Sequence, residues 1–177
     1  MLVQPVPLRC VVIVYPHTSN WDFPLGLLMK WAVAIRFHWV GKDSLFRWPL
    51  GPLLRRLGGV AVNRRERTRF VERLAAELER YPVMRVVITP EGTRARTDHW
   101  KSGFYHLARA TGVPLALAFI DYSKREIGIG AYHTLTGDVA RDMAAIGSFY
   151  AGRMGRHPAK QGPIRLRSDV AGAVGDA

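Results

Sequence analysis

Cysteine is nearly absent: among 177 residues only Cys10 carries a thiol. One cysteine excludes an internal disulfide framework and a cysteine-based zinc site. Within its apolar run Cys10 reads as a buried structural thiol, suited to a reducing compartment. Acidic residues are also scarce, 14 against 26 Lys and Arg, for a formal net charge of +12. That balance favours polyanions, whether nucleic acid, an anionic membrane surface or a phosphorylated substrate. No apolar run reaches the roughly 18 to 20 residues that span a bilayer. The longest, residues 23–37, is interrupted by Pro24, Lys30 and Arg36. The first nine residues lack a basic segment followed by a hydrophobic one, so neither a signal peptide nor a transmembrane helix is expected. A cytoplasmic protein, peripheral to the membrane, fits these absences. A nucleic-acid reading motif is missing and the basic residues are spread along the chain, so nucleic acid is not an expected partner. His38, His99, His106, His133 and His157 lack ligand spacing, so no metal site is expected.

What the chain has is an alternation of short apolar runs and amphipathic stretches. Val11-Val12-Ile13-Val14 reads as a buried strand. A polar turn over residues 15–24 follows, then a mostly buried helix over 25–33, with Ser19 and Asn20 as caps and Pro24 in the first turn. Further strands are expected at 37–40, 58–64, 85–89 and 113–120, with residues 126–135 adding strands in a hairpin. Residues 66–80 form an amphipathic helix whose stripe is Phe70, Val71, Leu74 and Leu78, stopped by Pro82. Ser102 caps a helix closed by Gly112, and a late helix covers 143–150. Residues 45–57, rich in Leu, Trp and Arg and broken by Pro49 and Pro52, fit either short helices covering the sheet or an interfacial patch.

Strands alternating with helices predict one α/β domain over residues 1–151, a mostly parallel central sheet flanked by helices. Residues 152–177 carry Arg153, Arg156, Lys160, Arg165 and Arg167 among Gly and Pro, and are expected to form a basic, loosely ordered tail.

In such sheets the ligand crevice lies at the carboxyl ends of the strands. Three polar turns begin there: His17 follows the first strand, Arg64 another, and residues 91–94 a third. His17 and Asp22, five apart, would point about 140° away from each other on one regular helix. With His17 in the turn, the Asp22 carboxylate can fold back onto one imidazole nitrogen and leave the other as a proton acceptor. No Ser or Cys nucleophile accompanies the pair. Arg64 and Arg94 offer planar charged forks suited to phosphate. Gly92 lets the backbone approach a ligand, Thr93 adds a donor, and Lys101 adds a point charge at a helix start. Glu91 is costly in a basic pocket unless it holds an arginine or accepts a bond from a substrate hydroxyl.

These residues resemble the glycerolipid acyltransferases, typified by lysophosphatidic acid acyltransferase. His17-Thr18-Ser19-Asn20-Trp21-Asp22 looks like that family's His-x4-Asp block, and Thr89-Pro90-Glu91-Gly92-Thr93-Arg94 like its Phe-Pro-Glu-Gly-Thr-Arg block. Residues 59–64, ending in Arg64, are a looser match to the second block, residues 113–118 resemble the fourth, and residues 101–108 resemble the Lys-x-Gly segment. Thr89 stands where an aromatic is usual and Ala95 where a serine is frequent. The resemblance implies direct acyl transfer from a thioester, acyl-CoA or acyl carrier protein, to the hydroxyl of lysophosphatidic acid, giving phosphatidic acid without an acyl-enzyme. Another lysophospholipid or lipid acceptor is the alternative. His17 would be the general base and Asp22 its orienter. Arg64, Glu91, Gly92, Thr93, Arg94 and Lys101 would hold the acceptor, and no metal or other cofactor is implied. An anionic membrane surface is the expected partner.

Overall fold

β1 (Arg9–Val14) is an apolar run, and it lies inside the sheet with neighbours on both sides. The computed structural model of the chain describes residues 5–62 and 67–166. The other strands are β2 (His38–Lys42), β3 (Gly59–Val62), β4 (Met84–Ile88), β5 (Leu115–Asp121) and β6 (Glu126–His133). Across the sheet they lie in the order β3-β2-β4-β1-β5-β6. β1 to β5 run parallel, and β6 returns antiparallel beside β5. This is the expected α/β domain. Residues 126–133 supply one strand, which makes its hairpin with β5.

The period-two alternation of β1 divides the core between two layers. Val11 and Ile13 join a cluster with Leu74 and Leu78 of α3 (Arg67–Arg80), Leu107 of α4 (Gly103–Thr111) and Ile146 of α5 (Val139–Tyr150). Cys10 and Val12 join a smaller cluster that includes Met29 of α1 (Asp22–Ala32). Cys10 is fully buried, and burial pushes its thiol up to about 12, as expected of a structural cysteine. Each fully buried aliphatic side chain stabilises the fold by ~1.5–3 kcal/mol, so the three-helix face carries most of the apolar stabilisation.

Three local expectations change. α1 is not mostly buried: Asp22 alone is, while Leu28 and Trp31 are 57% and 59% exposed, and Trp21, just before the helix, is 58% exposed. Nor do Ser19 and Asn20 cap it, because α1 starts at Asp22, whose carboxylate accepts the Ser19 amide. α5 begins earlier than residue 143, since Asp138 caps it by accepting the Arg141 amide at 3.0 Å.

The segment 152–166, expected to be loose, is packed. Tyr15 donates its hydroxyl to the Gly162 carbonyl at 3.0 Å, and the Trp100 amide donates to the Arg165 carbonyl at 2.7 Å. The Arg153 guanidinium lies 4.0 Å from the Phe149 ring centroid and 4.4 Å from that of Phe119. A basic residue stacked on two rings is anchored by the same charge that makes its sequence look solvated. Residues 167–177 lie outside the described residues. Among the described residues no helix is long and apolar enough to cross a membrane.

Candidate active site

Three neighbouring strands, β4, β1 and β5, end at one rim, and each delivers a polar group to it. The turn after β1 carries His17. Its Nδ1 lies 3.0 Å from Asp22 Oδ2, the first residue of α1. The carboxylate is buried, and burial opposes its charge. Hydrogen bonds from His17, the Tyr122 hydroxyl and the Ser19 amide outweigh that, holding Asp22 below the ordinary carboxylate range. An ionised Asp22 can only accept, so His17 Nδ1 carries the proton and donates, leaving Nε2 as the accepting nitrogen. The His17 side chain is 13% exposed and lines a cavity of ≈ 660 Å³.

The turn after β4 carries Glu91, which is 1% exposed. Its Oε2 accepts the His17 amide N–H at 2.8 Å, while among the described residues the buried Oε1 meets no hydrogen-bond partner. Burial raises its pKa to about 7, only partly offset by that amide, and the nearby Asp22 charge raises it further. Glu91 was expected to hold an arginine or meet a substrate hydroxyl. Its partner is the backbone of His17, and among the described residues no ion pair joins it to an arginine. Gly92 adopts φ +66°, in the left-handed region that a side chain disfavours, and so turns the loop back over the rim.

The cavity lies between the inner side of α1 and the sheet. Phe23, Leu27 and Met29 of α1 face Val12, Val14 and Ile129 across it, so its walls are largely apolar. Its polar lining lies with His17, Asn20 and Asp22 and with Thr89, Thr93 and Arg94, and Lys30 and Lys42 line it as well. This pattern, an apolar hollow beside an oriented imidazole with an arginine at the lining, suits a substrate with a long apolar part and an anionic part.

A family model described as Acyltransferase matches residues 4–118, more than half of the 177-residue chain. The chain belongs to the acyltransferase family. Neither the curated proteins nor the solved structures compared with it give a match.

The match takes in every site residue read from the sequence, and the fold of this acyltransferase brings most of them together. His17, Asp22, Gly92, Thr93 and Arg94 line the cavity. Glu91 stands behind His17 and is not among the lining residues. The Thr93 hydroxyl is occupied locally, accepting the Ala95 amide at 3.2 Å. Lys101 is exposed, and its carbon stem lies against Gly92, with its head outside the cavity lining. Arg64 lies outside the described residues. The strand before it, β3, is at the sheet edge, separated from β1 by β2 and β4.

One partner of the site is not readable from sequence motifs. Tyr122, directly after β5, donates its hydroxyl to Asp22 Oδ1 at 2.7 Å across a separation of 100 residues. The hairpin was expected within residues 126–135, whereas Tyr122 sits in the turn between β5 and β6, and its pairing with the β1 turn depends on strand order. No local pattern records that.

Proposed function

We propose that this acyltransferase moves a fatty acyl group from a thioester, acyl-CoA or acyl carrier protein, to the hydroxyl of lysophosphatidic acid, giving phosphatidic acid. The observation that carries the reading is the 3.0 Å His17–Asp22 pair beside a largely apolar ≈ 660 Å³ cavity that Arg94 also lines. His17 Nε2 takes the proton of the acceptor hydroxyl while Asp22 stabilises the imidazolium that forms. The acceptor oxygen attacks the thioester carbonyl carbon. Collapse of the tetrahedral species breaks the C–S bond, and His17 returns its proton to the departing thiolate. The acceptor supplies the nucleophile, so no enzyme ester is required. A positioned general base is worth about 10²–10⁴ in rate. Fixing the acceptor by its phosphate adds up to ~7–11 kcal/mol of orientation. Arg94 is the described residue suited to that clamp, and Arg64 and Lys101 are assigned to the same acceptor end.

The work is done at the surface of an anionic bilayer. Trp21, Leu28 and Trp31 share one face of α1 by their spacing and are exposed. Leu45 and Leu50 are exposed and also line the cavity, so apolar surface and cavity are continuous. Beside them Trp48 is 88% exposed and Arg47, Arg55 and Arg56 are exposed as well. Aromatic and aliphatic side chains flanked by arginines suit the boundary between acyl chains and anionic headgroups. That surface would let a lipid acceptor and its acyl product stay in the membrane during turnover.

The test is product identification by mass spectrometry, offering long-chain acyl-CoA and acyl carrier protein thioesters against a panel of lysophospholipids. Phosphatidic acid as the dominant product supports the reading. A dominant product from a lysolipid lacking a terminal phosphate would replace the acceptor, and no acylated lipid from any pair would refute the proposal.

A further inference from the structure

Asp22 has two carboxylate oxygens and three donors. Oδ2 accepts His17 Nδ1–H and the Ser19 amide, both at 3.0 Å, and Oδ1 accepts the Tyr122 hydroxyl at 2.7 Å. The Tyr122 bond is the shortest of the three and enters from the opposite oxygen. It therefore fixes the rotation of the carboxylate plane, which the other two, sharing one oxygen, do not.

Tyr122 is itself held. Its amide donates to the Met154 carbonyl at 2.8 Å, and Asp121 Oδ1 gathers the Ser123 amide and hydroxyl at 3.0 and 2.6 Å. The segment 152–166, a strap across this end of the molecule that includes Met154, also reaches the other side of the site, where the His157 amide donates to Thr18 Oγ1 at 3.1 Å. Tyr122 and the strap both lie beyond residue 118, where the family match ends. Burial and the Asp22 carboxylate raise the phenol to about 12, so it remains a donor through neutral pH.

We propose that Tyr122 is a positioning residue of the acyl-transfer reaction: it holds Asp22 by Oδ1 so that Oδ2 faces His17. The proposal rests on His17 being the general base. A carboxylate that shares its charge with a phenol O–H is a weaker partner for an imidazolium than one that does not. Removing the phenol oxygen therefore leaves a looser but more basic Asp22, and His17 holds its proton to higher pH. The other charged groups around this unit are Glu91 behind the His17 amide, Arg94 on the cavity wall, and Arg156, which lies near Tyr122 and stacks over Trp21. Tyr122→Phe changes none of them.

The experiment pairs kinetics with NMR of the His17 ring in ligand-free protein. Tyr122→Phe should lower kcat about tenfold, the scale of one hydrogen bond to a charged group, with KM unchanged. The midpoint of the His17 ring titration should move to higher pH. In the Asp22→Asn background, Tyr122→Phe should add no further loss, because it acts through Asp22. Unchanged kcat and ring titration in folded Tyr122→Phe would overturn the proposal, as would independent losses in the double variant. If Tyr122→Phe does not fold, 3-fluorotyrosine at position 122 keeps the shape and strengthens the donor. The ring midpoint should then move to lower pH, and no movement would overturn the proposal. A protein that transfers no acyl group yet shows these ring shifts would refute the general-base reading while leaving the Tyr122–Asp22–His17 coupling in place.

Discussion

Buried, and among the described residues partnered only by a backbone amide, Glu91 makes stability depend on pH in a direction opposite to most carboxylates. Its pKa is about 7 in the folded chain against 4.5 for the free group. Between those values the folded state keeps a proton that the unfolded state releases, so stability falls as pH rises from about 4.5 and levels off above about 7. Glu91→Gln removes the titration yet keeps an oxygen to accept the His17 amide. The Tm difference, variant minus wild type, should grow from pH 5 to pH 8 in thermal denaturation. A difference constant across that window would show that Glu91 does not titrate there. Glu91 also shows how far a motif reads. Its presence at the rim followed from Pro-Glu-Gly at a strand end, but its partner did not. An acid in a basic sequence suggests an arginine, whereas His17 N–H is a donor that no side-chain pattern displays. Tyr122 escaped for the same reason, since its bond to Asp22 is made by strand order.

Among the elements, the strands were legible because each is an apolar run bounded by turn residues, and α3 because its stripe has helical period. α1 misled because an apolar sequence was read as a buried one; its inner side meets a cavity and its outer side meets solvent. The strap at 152–166 misled in the other direction. Gly, Pro and Arg suggest a loose tail, yet its hold comes from backbone groups, Arg153 on aromatic rings and the buried Leu166. The strap can be tested at Gly155, where a Cβ would meet Thr18 Oγ1 at 2.6 Å and Pro16 Cβ at 3.1 Å. Gly155→Ala should destabilise the chain by about 1–3 kcal/mol, as overpacking does. Because Thr18 adjoins His17, it should also lower kcat more than it raises KM. Denaturant melts and steady-state kinetics check both, and an unaltered kcat would mean the strap does not brace the turn.

At the scale of the molecule, the sheet places the His17 turn between the turns after β4 and β5, and the α1 layer leaves a cavity where a core would otherwise be. The exposed Trp48 surface and the +12 formal charge suit an anionic bilayer. The protein should sediment with vesicles rich in phosphatidic acid or phosphatidylglycerol, and less so as salt rises. Trp48→Ala combined with Leu53→Ala should weaken this by at least tenfold, since at ~25 cal/mol per Å² that needs only ~55 Å² of apolar area withdrawn from water. Unchanged vesicle binding would place the membrane contact elsewhere. The most direct measurement of the proposed chemistry is free-thiol release from long-chain acyl-CoA, with and without lysophosphatidic acid, in wild type and His17→Ala. Release should require the acceptor, match phosphatidic acid formed one for one, and fall by about 10²–10⁴ in His17→Ala. Release at full rate without acceptor, or a His17→Ala variant as fast as wild type, would contradict transfer by a His17 general base.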